Sequence, residues 1–292
     1  MIRRIISNIE VAGDEPIAGD NKPYKQGDAL ELARFYESAG ADELMLYERS
    51  NTPQGSDKLL ALVEKLASSI FLPLTVAGGI DSISKIKQFI RAGASKVCMN
   101  NHALKAPEFI KEAADKVGAQ NLILLFQFRK NEDEYEIFSK NCKAPYPDML
   151  EWAKFAQQSV SEIIAHPIVS DPQKEKIDFA IIGNLAQNIE IPLLFMIDEY
   201  QISDDNILTL FKQSGVTGII ASNIFHKKES SIKKIKKRLI GEGIAVRQHL
   251  DTITRPFGKQ TSHLEINLLE KKHDQDIELL NKIEEVSEED EK

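Results

Sequence analysis

Two carboxylates close short apolar runs near the start of the chain. Glu10 ends the first run, Ile5–Val11, and Glu48 follows the second, Glu43–Tyr47. A carboxylate at the end of a buried strand can take or give a proton. Further on, Ala77-Gly78-Gly79-Ile80 leads into Asp81 and Ser82, which open a helical pattern. Glycines there let backbone N–H groups approach a phosphate, and a helix start favours the anion. The plainer reading is a tight strand-to-helix turn. Asn100-Asn101 closes the neighbouring run and brings amide groups beside the glycines, which favours a phosphate site. Ser222-Asn223 closes the last run in the same way. The other run ends are Phe128, Val169 and Met196-Ile197-Asp198. Phe128 and Val169 transfer no protons, and Asp171 and Asp198 read as ordinary loop aspartates.

Other reactive residue types form no pattern. His102, His166, His226 and His249 lack metal-ligand spacing, so neither a metal nor a cofactor is expected. Cys98 and Cys142 are too few for a disulfide framework, which points to a reducing compartment and a cytoplasmic location. Cys98 falls inside an apolar run and reads as packed. Trp152, with Leu150 and Phe155 on a helical pattern, reads as core.

Composition limits the partners. The net charge of −8 is uneven. From Gln248 onward six basic face twelve acidic residues, a net of −6, leaving 31 against 33 over residues 1–247. No global basic field for nucleic acid exists. The one basic run, Lys233-Lys234-Ile235-Lys236-Lys237-Arg238, has apolar residues at helical spacing and reads as a solvated helix face. No apolar run reaches a membrane-spanning length, and residues 1–8 lack the apolar core of a signal peptide.

The elements that must hold these residues alternate regularly. Continuous apolar runs, the mark of buried parallel strands, lie at Ile5–Val11, Glu43–Tyr47, Leu72–Ala77, Lys96–Met99, Asn121–Phe128, Glu162–His166, Ile191–Met196 and Gly218–Ser222. Helical patterns lie near 28–38, 56–69, 82–91, 106–117, 147–158, 176–188, 204–213 and 228–241. Eight strands alternating with eight helices predict a (β/α)8 TIM barrel, with an open doubly wound sheet as the alternative.

The chain also repeats at half length. Leu72-Pro73-Leu74 matches Ile191-Pro192-Leu193, and Ala92-Gly93-Ala94-Ser95-Lys96 matches Ser214-Gly215-Val216-Thr217-Gly218. Thr52-Pro53-Gln54 matches Asp171-Pro172-Gln173. Matches in register argue for two half-barrels of four strands. Residues 129–146 are an excursion with a short strand at 135–138. The barrel is expected over 1–247, a partly helical extension over 248–286, and an acidic disordered tail over 287–292.

Several of these segments carry a family resemblance. Arg4-Ile5-Ile6-Ser7-Asn8-Ile9-Glu10-Val11, Gly40-Ala41-Asp42-Glu43-Leu44, Pro73-Leu74-Thr75-Val76-Ala77-Gly78-Gly79-Ile80 and Gly243-Ile244-Ala245-Val246-Arg247 resemble the cyclase subunit of imidazole glycerol phosphate synthase, of histidine biosynthesis. The resemblance covers residues 1–247 and is strongest to about residue 120.

That resemblance implies a lyase that takes ammonia from a docked glutaminase subunit and adds it to a bisphosphorylated intermediate. The family's two catalytic aspartates fall on Glu10 and Phe128, so the paired acid–base mechanism loses one member. Its first phosphate site falls on Gly78, Gly79, Asn100 and Asn101. Its second falls on Val169, Pro172, Ile197, Asp198, Ser222 and Asn223, where a carboxylate replaces a glycine pair. Its loop-one lysine falls on Ala18. The charged gate of its ammonia channel falls on Arg4, Glu43, Lys96 and Glu162. The expected function is therefore a divergent ammonia-using barrel with a glutaminase partner and a phosphorylated small-molecule substrate. Histidine biosynthesis or an amidination in surface-glycan synthesis fits. The alternative is an inactive barrel acting as a scaffold or regulatory phosphate-ligand binder.

Overall fold

The computed structural model describes residues 2–17, 28–50, 52–131, 134–139, 148–168, 178–197, 203–221 and 232–247. The chain divides into two units, Met1–Gln248 and His249–Lys292. The expected extension and acidic tail, like Ser222, Asn223, Ala18, Val169 and Asp198, lie outside the described residues.

Ten strands are described: β1 (Arg4–Ala12), β2 (Glu15–Pro16), β3 (Glu43–Glu48), β4 (Leu74–Ala77), β5 (Lys96–Met99), β6 (Leu122–Asn131), β7 (Glu134–Phe138), β8 (Glu162–Pro167), β9 (Leu193–Ile197) and β10 (Gly218–Ala221). Eight of them pair in parallel in the order β1-β3-β4-β5-β6-β8-β9-β10. The last returns to the first, with Arg4 opposite Gly218 and Ser7 opposite Ala221. The barrel is closed, as the eight alternating pairs predict, and no open sheet edge remains in it. β2 folds back antiparallel on the end of β1, which the apolar pattern did not reveal.

Closure creates two apolar layers because strand side chains alternate. Ile6, Met45, Ala77, Cys98, Ile123, Leu125, Ile164, Leu194, Met196 and Ile220 pack inside the barrel. Ile5, Ile9, Leu44, Leu46, Val76, Val97, Leu124, Phe126 and Phe195 face outward into the helix layer. Cys98 is packed as expected, and burial pushes its thiol up, away from reactivity.

The helices are α1 (Ala29–Ser38), α2 (Pro53–Ala67), α3 (Ile83–Arg91), α4 (Asn101–Lys105), α5 (Glu108–Val117), α6 (Met149–Ala156), α7 (Phe179–Gln187), α8 (Asp204–Gln213) and α9 (Ile232–Gly241). Most start on a side-chain cap that satisfies an orphan N–H of the first turn. Asp28 and Glu31 form a capping box on α1. Thr52, Ser82, Asp148, Asp178 and Ser203 cap α2, α3, α6, α7 and α8. α2 begins at Pro53, three residues before the expected start, because proline suits the first helical position. The helix expected over 106–117 is preceded by a separate turn, α4, with Pro107 between the two. β4 and β9 begin after Pro73 and Pro192, which offer no N–H to a ladder. Trp152 is buried as expected, whereas Phe155, stacked on it at 5.5 Å, is nearly half exposed.

The repeat is visible in the hydrogen bonding. Ser95 N donates to Leu74 O, and Thr217 N donates to Leu193 O, both at 2.8 Å. These are the positions that the half-length match pairs. The excursion after β6 is an antiparallel hairpin in which β7 runs back along β6, with Phe128 opposite Ile137 and Asn131 opposite Glu134. Its expected short strand at 135–138 falls within β7.

One expectation for the basic run needs correcting. Lys236 is not on a solvated face. Its Nζ lies 2.6 Å from Asp42 Oδ1 and 3.0 Å from the carbonyl of Arg247, and both partners of the ion pair are buried. Asp42 in turn accepts the N–H of Ile5. α9 thus fastens to the start of the barrel through a charge that is paired because a lone one would be costly there. Burial lowers the Lys236 pKa, and Asp42 opposes that shift.

Candidate functional site

The barrel has two chemically distinct ends. At the end where strands begin, Arg4, Glu43, Lys96 and Glu162 open β1, β3, β5 and β8. The structure brings all four together. Arg4 NH1 lies 2.7 Å from Glu43 Oε1 and 2.9 Å from Glu162 Oε1, and Lys96 Nζ lies 2.8 Å from Glu162 Oε1. Burial alone would lower the Arg4 pKa, but the attraction of Glu43 and Glu162 more than offsets it, and the guanidinium is held more firmly charged. Glu162 Oε2 is buried and accepts no hydrogen bond. Directly above this charged layer comes the apolar lumen.

At the other end the strands open into a cavity of about 410 Å3. Its wall includes Tyr47, Arg49, Gly79, Asn100, Lys105 and Gln127. The lining comes from β3 to β6 and the loops after them, which is one side of the barrel mouth.

The glycine turn sits in this wall as expected. Gly78 and Gly79 have φ of +100° and +64°. A side chain at Gly78 would meet the Glu48 carbonyl oxygen at 2.2 Å, so only glycine fits. The turn leads to α3, whose first turn Ser82 caps by accepting from Lys85 N. Asn100 and Asn101 line the same cavity, so the structure gathers the four residues read as a phosphate site. Asn101 is tied at 3.3 Å to Ser139, just past the β6–β7 hairpin. Asn100 Oδ1 is buried with no hydrogen-bond partner.

Glu10 and Glu48 part company. Glu10 belongs to the inward set of β1, since Ile9 and Val11 face the helix layer. Its Oε1 is 3.1 Å from Arg49 NH1. Glu48 lies on the outward set of β3. Its Oε1 accepts from Gly13 N at 3.2 Å, from Ser50 N at 2.8 Å and from Ser50 Oγ. That carboxylate fastens two loops together, although the residue's position brings it to the cavity wall.

The placement of a family catalytic position on Phe128 is corrected by the same alternation. Phe128 is buried in the outer layer, 5.9 Å from the Tyr135 ring. The inward position at that level is Gln127, which lines the cavity and lies 3.3 Å from His166 Nδ1. Gln127 has no titratable proton.

Four polar residues of the mouth were not singled out from the sequence: Tyr47, Arg49, Lys105 and Gln127. Tyr47 points inward beside Arg49, whose guanidinium lies 5.6 Å from the ring centre. Burial raises the Tyr47 pKa, and the positive charge of Arg49 opposes this. Counting alternate residues from Glu43 would have found Tyr47. Arg49, beyond the strand end, carries no such signal. Among the described residues, no three of His, Cys, Asp or Glu gather to hold a metal ion. Among the described residues, no helix is long and apolar enough to cross a membrane.

The comparisons agree with this arrangement. The family model described as "Histidine biosynthesis protein" matches residues 4–231. The imidazole glycerol phosphate synthase subunit HisF of Natranaerobius thermophilus is 31% identical over 253 residues, covering 85% of this chain and 99% of its own length. The HisF subunits of Bacillus cereus and Clostridium botulinum are 30% and 31% identical, covering 85% and 84% of this chain and 99% and 98% of theirs. With a closed barrel, an ion-paired floor and a glycine turn at the mouth, the chain belongs to the histidine biosynthesis protein family, as a divergent relative of HisF.

Proposed function

We propose that this barrel is an ammonia-accepting subunit that works with a glutaminase partner on a phosphorylated small molecule held at its mouth. The observation that carries the reading is the floor. Four charged side chains from four different strands meet there through three ion pairs, under an apolar lumen that leads to the cavity. Buried charges of this kind are costly unless paired, so their presence at a barrel end calls for a reason beyond packing. The buried Oε2 of Glu162 is an acceptor in search of a donor, which an entering ammonia molecule supplies. The relatives' printed name, a synthase subunit, supports a second chain as partner.

The substrate chemistry differs from that of the family. Glu10 is held by Arg49, and Gln127 stands where the second carboxylate would face the mouth. A paired acid–base step has lost one member, which costs roughly 10²–10⁴-fold in rate. This supports a related amidination, of a sugar in surface-glycan synthesis, over the histidine-pathway cyclisation. The same pair of observations favours the second reading, an inactive barrel that binds a phosphorylated ligand for scaffolding or regulation.

Co-purification from the native cell separates the two. The expected result is a glutaminase bound through the floor, with charge reversals around Ser95 on that rim weakening the pair while the barrel stays folded. Repeated isolation without a glutaminase removes the ammonia reading. An assay with ammonium salt and the histidine-pathway intermediate is expected to show negligible turnover; ordinary turnover would restore the family reaction.

A further inference from the structure

Lumen and cavity meet along β4, β5 and β6. Ala77, Cys98 and Leu125 pack in the apolar lumen and also line the cavity. Two residues on from Cys98 and Leu125 stand Asn100 and Gln127, both in the cavity wall. Two carboxamides therefore edge the exit of the lumen. Gln127 Nε2 lies 3.3 Å from Nδ1 of His166, its partner in register on β8. A carboxamide nitrogen only donates, so His166 takes that end of the amide and the oxygen is the end left for the cavity. The Asn100 side chain hydrogen-bonds Tyr47, and its Oδ1 is buried with no partner. A buried acceptor without a donor is costly and uncommon. The nearby carboxylates are turned to other groups: Glu10 to Arg49, Glu48 to Gly13 and Ser50, and Asp81 to Lys85.

We propose that Asn100 Oδ1 and Gln127 Oε1 form the site that receives ammonia at the mouth, with His166 as the residue that positions the Gln127 amide. The inference rests on the ammonia-accepting reading and names where in the cavity the ammonia is held. Ammonia carries three N–H donors and one lone pair. Two amide oxygens at the lumen exit accept two of the N–H groups and leave the lone pair to the substrate. That the acceptors are neutral matters. A negative charge close by favours the ionised form of an amine, so a carboxylate in either place would hold ammonium. Ammonium has no lone pair and attacks nothing. An amide oxygen accepts the same N–H without that bias. The apolar lumen selects in the same sense, because burying an ion there costs far more than burying a neutral molecule. The Gly78–Gly79 turn and Asn101 keep the phosphate, since a bare amide oxygen repels that anion.

The test uses the full chain, labelled with carbon-13 in its asparagine and glutamine carboxamides, and ammonium chloride as the probe. The carbonyl resonances of Asn100 and Gln127 are followed by NMR at two pH values one unit apart, both below the ammonium pKa. The neutral fraction then differs about tenfold between them. Half-saturation is expected at about tenfold less total ammonium at the higher pH, and potassium chloride is expected to move neither resonance. Gln127→Glu should admit the ion, so that half-saturation, read at Asn100, becomes nearly equal at the two pH values. Asn100→Leu should weaken the response at Gln127 by about fivefold, the size of one hydrogen bond, and serves where Gln127→Glu folds poorly. Equal half-saturation of the unaltered protein at both pH values, or an equal response to potassium, makes this a cation site and overturns the proposal. Silence at both resonances overturns it too. With a glutaminase still co-purifying, that silence leaves the ammonia-accepting reading in place; without one, both fall.

Discussion

At the scale of single residues, parity along a strand decides which side chains do chemistry. Phe128 and Gln127 are neighbours in sequence, yet one packs under a helix and the other lines the mouth. A one-residue slip in carrying over a motif exchanges the two faces, and the apolar run 121–128 gave no marker to prevent it. The floor was easier to read, because Arg4, Glu43, Lys96 and Glu162 each open a strand and share a parity. Their energetics lead to a definite expectation. Glu162 is the shared acceptor of Arg4 and Lys96 and is largely buried, while the two cations keep about a fifth of their side chains exposed. Glu162→Ala strips both cations of that partner. The expected loss is about 3 kcal/mol, the low end for a broken buried pair, because water reaches the cations in part. Urea denaturation checks it. A change under about 0.5 kcal/mol, typical of a surface site, would show that the floor charges are held by solvent instead.

Among the elements, the β6–β7 hairpin joins parts of the mouth that the barrel keeps apart. Phe128 and Tyr135 pack edge to face across it, and Arg129 pairs with Glu136 at 2.7 Å. Tyr135 OH donates to Asp178 Oδ2 at 2.8 Å, at the cap of α7, while Ser139 reaches Asn101 in the cavity wall. The hairpin was legible as an excursion with a strand over 135–138. Its ties were not, since they join residues 38 to 43 apart in sequence. Asp178 gives this link a titratable end. Slight burial acts to raise its pKa, but the hydrogen bonds from Tyr135 and from the N–H groups of Ile181 and Ala180 win, and the value is lowered. A lowered carboxylate pKa means that the fold favours the charged form. That contribution is complete above the ordinary carboxylate value and is lost as pH falls through the lowered one. Tyr135→Phe removes one donor to the carboxylate. The Asp178 carboxyl should then titrate at higher pH, nearer the ordinary value, as followed by carbon NMR. No change on substitution would mean that the backbone donors alone hold the shift.

For the whole molecule, the alternation of runs and helices was enough to predict a closed barrel, because each buried strand reads as continuous and each helix as one-sided. What the pattern did not show is how the circle is closed. Among the described residues, β10 pairs with β1 over four residue pairs, Arg4–Gly218 to Ser7–Ala221. The seam is reinforced from beyond the last helix. Arg3 N donates to the Ala245 carbonyl at 2.7 Å, and Arg3 bridges in parallel to Val246, a buried residue. Lys236 Nζ reaches the Arg247 carbonyl while holding Asp42, which takes the N–H of Ile5. Residues 244–247 thus act as a latch across the join between first and last strand. Ending the chain after Gly243 removes the Val246 burial, worth about 2 kcal/mol for a side chain of that size. It also removes three hydrogen bonds of about 1 kcal/mol each, from Arg3 N to Ala245, from Lys236 to Arg247 and from Ile244 N to Leu239. Ending it after Gln248 keeps all four. At about 2–4 °C per kcal/mol for a chain of this length, the shorter truncation should melt roughly 10 °C below the longer one by circular dichroism. Coincident melts would show that the β1–β10 pairing closes the barrel unaided.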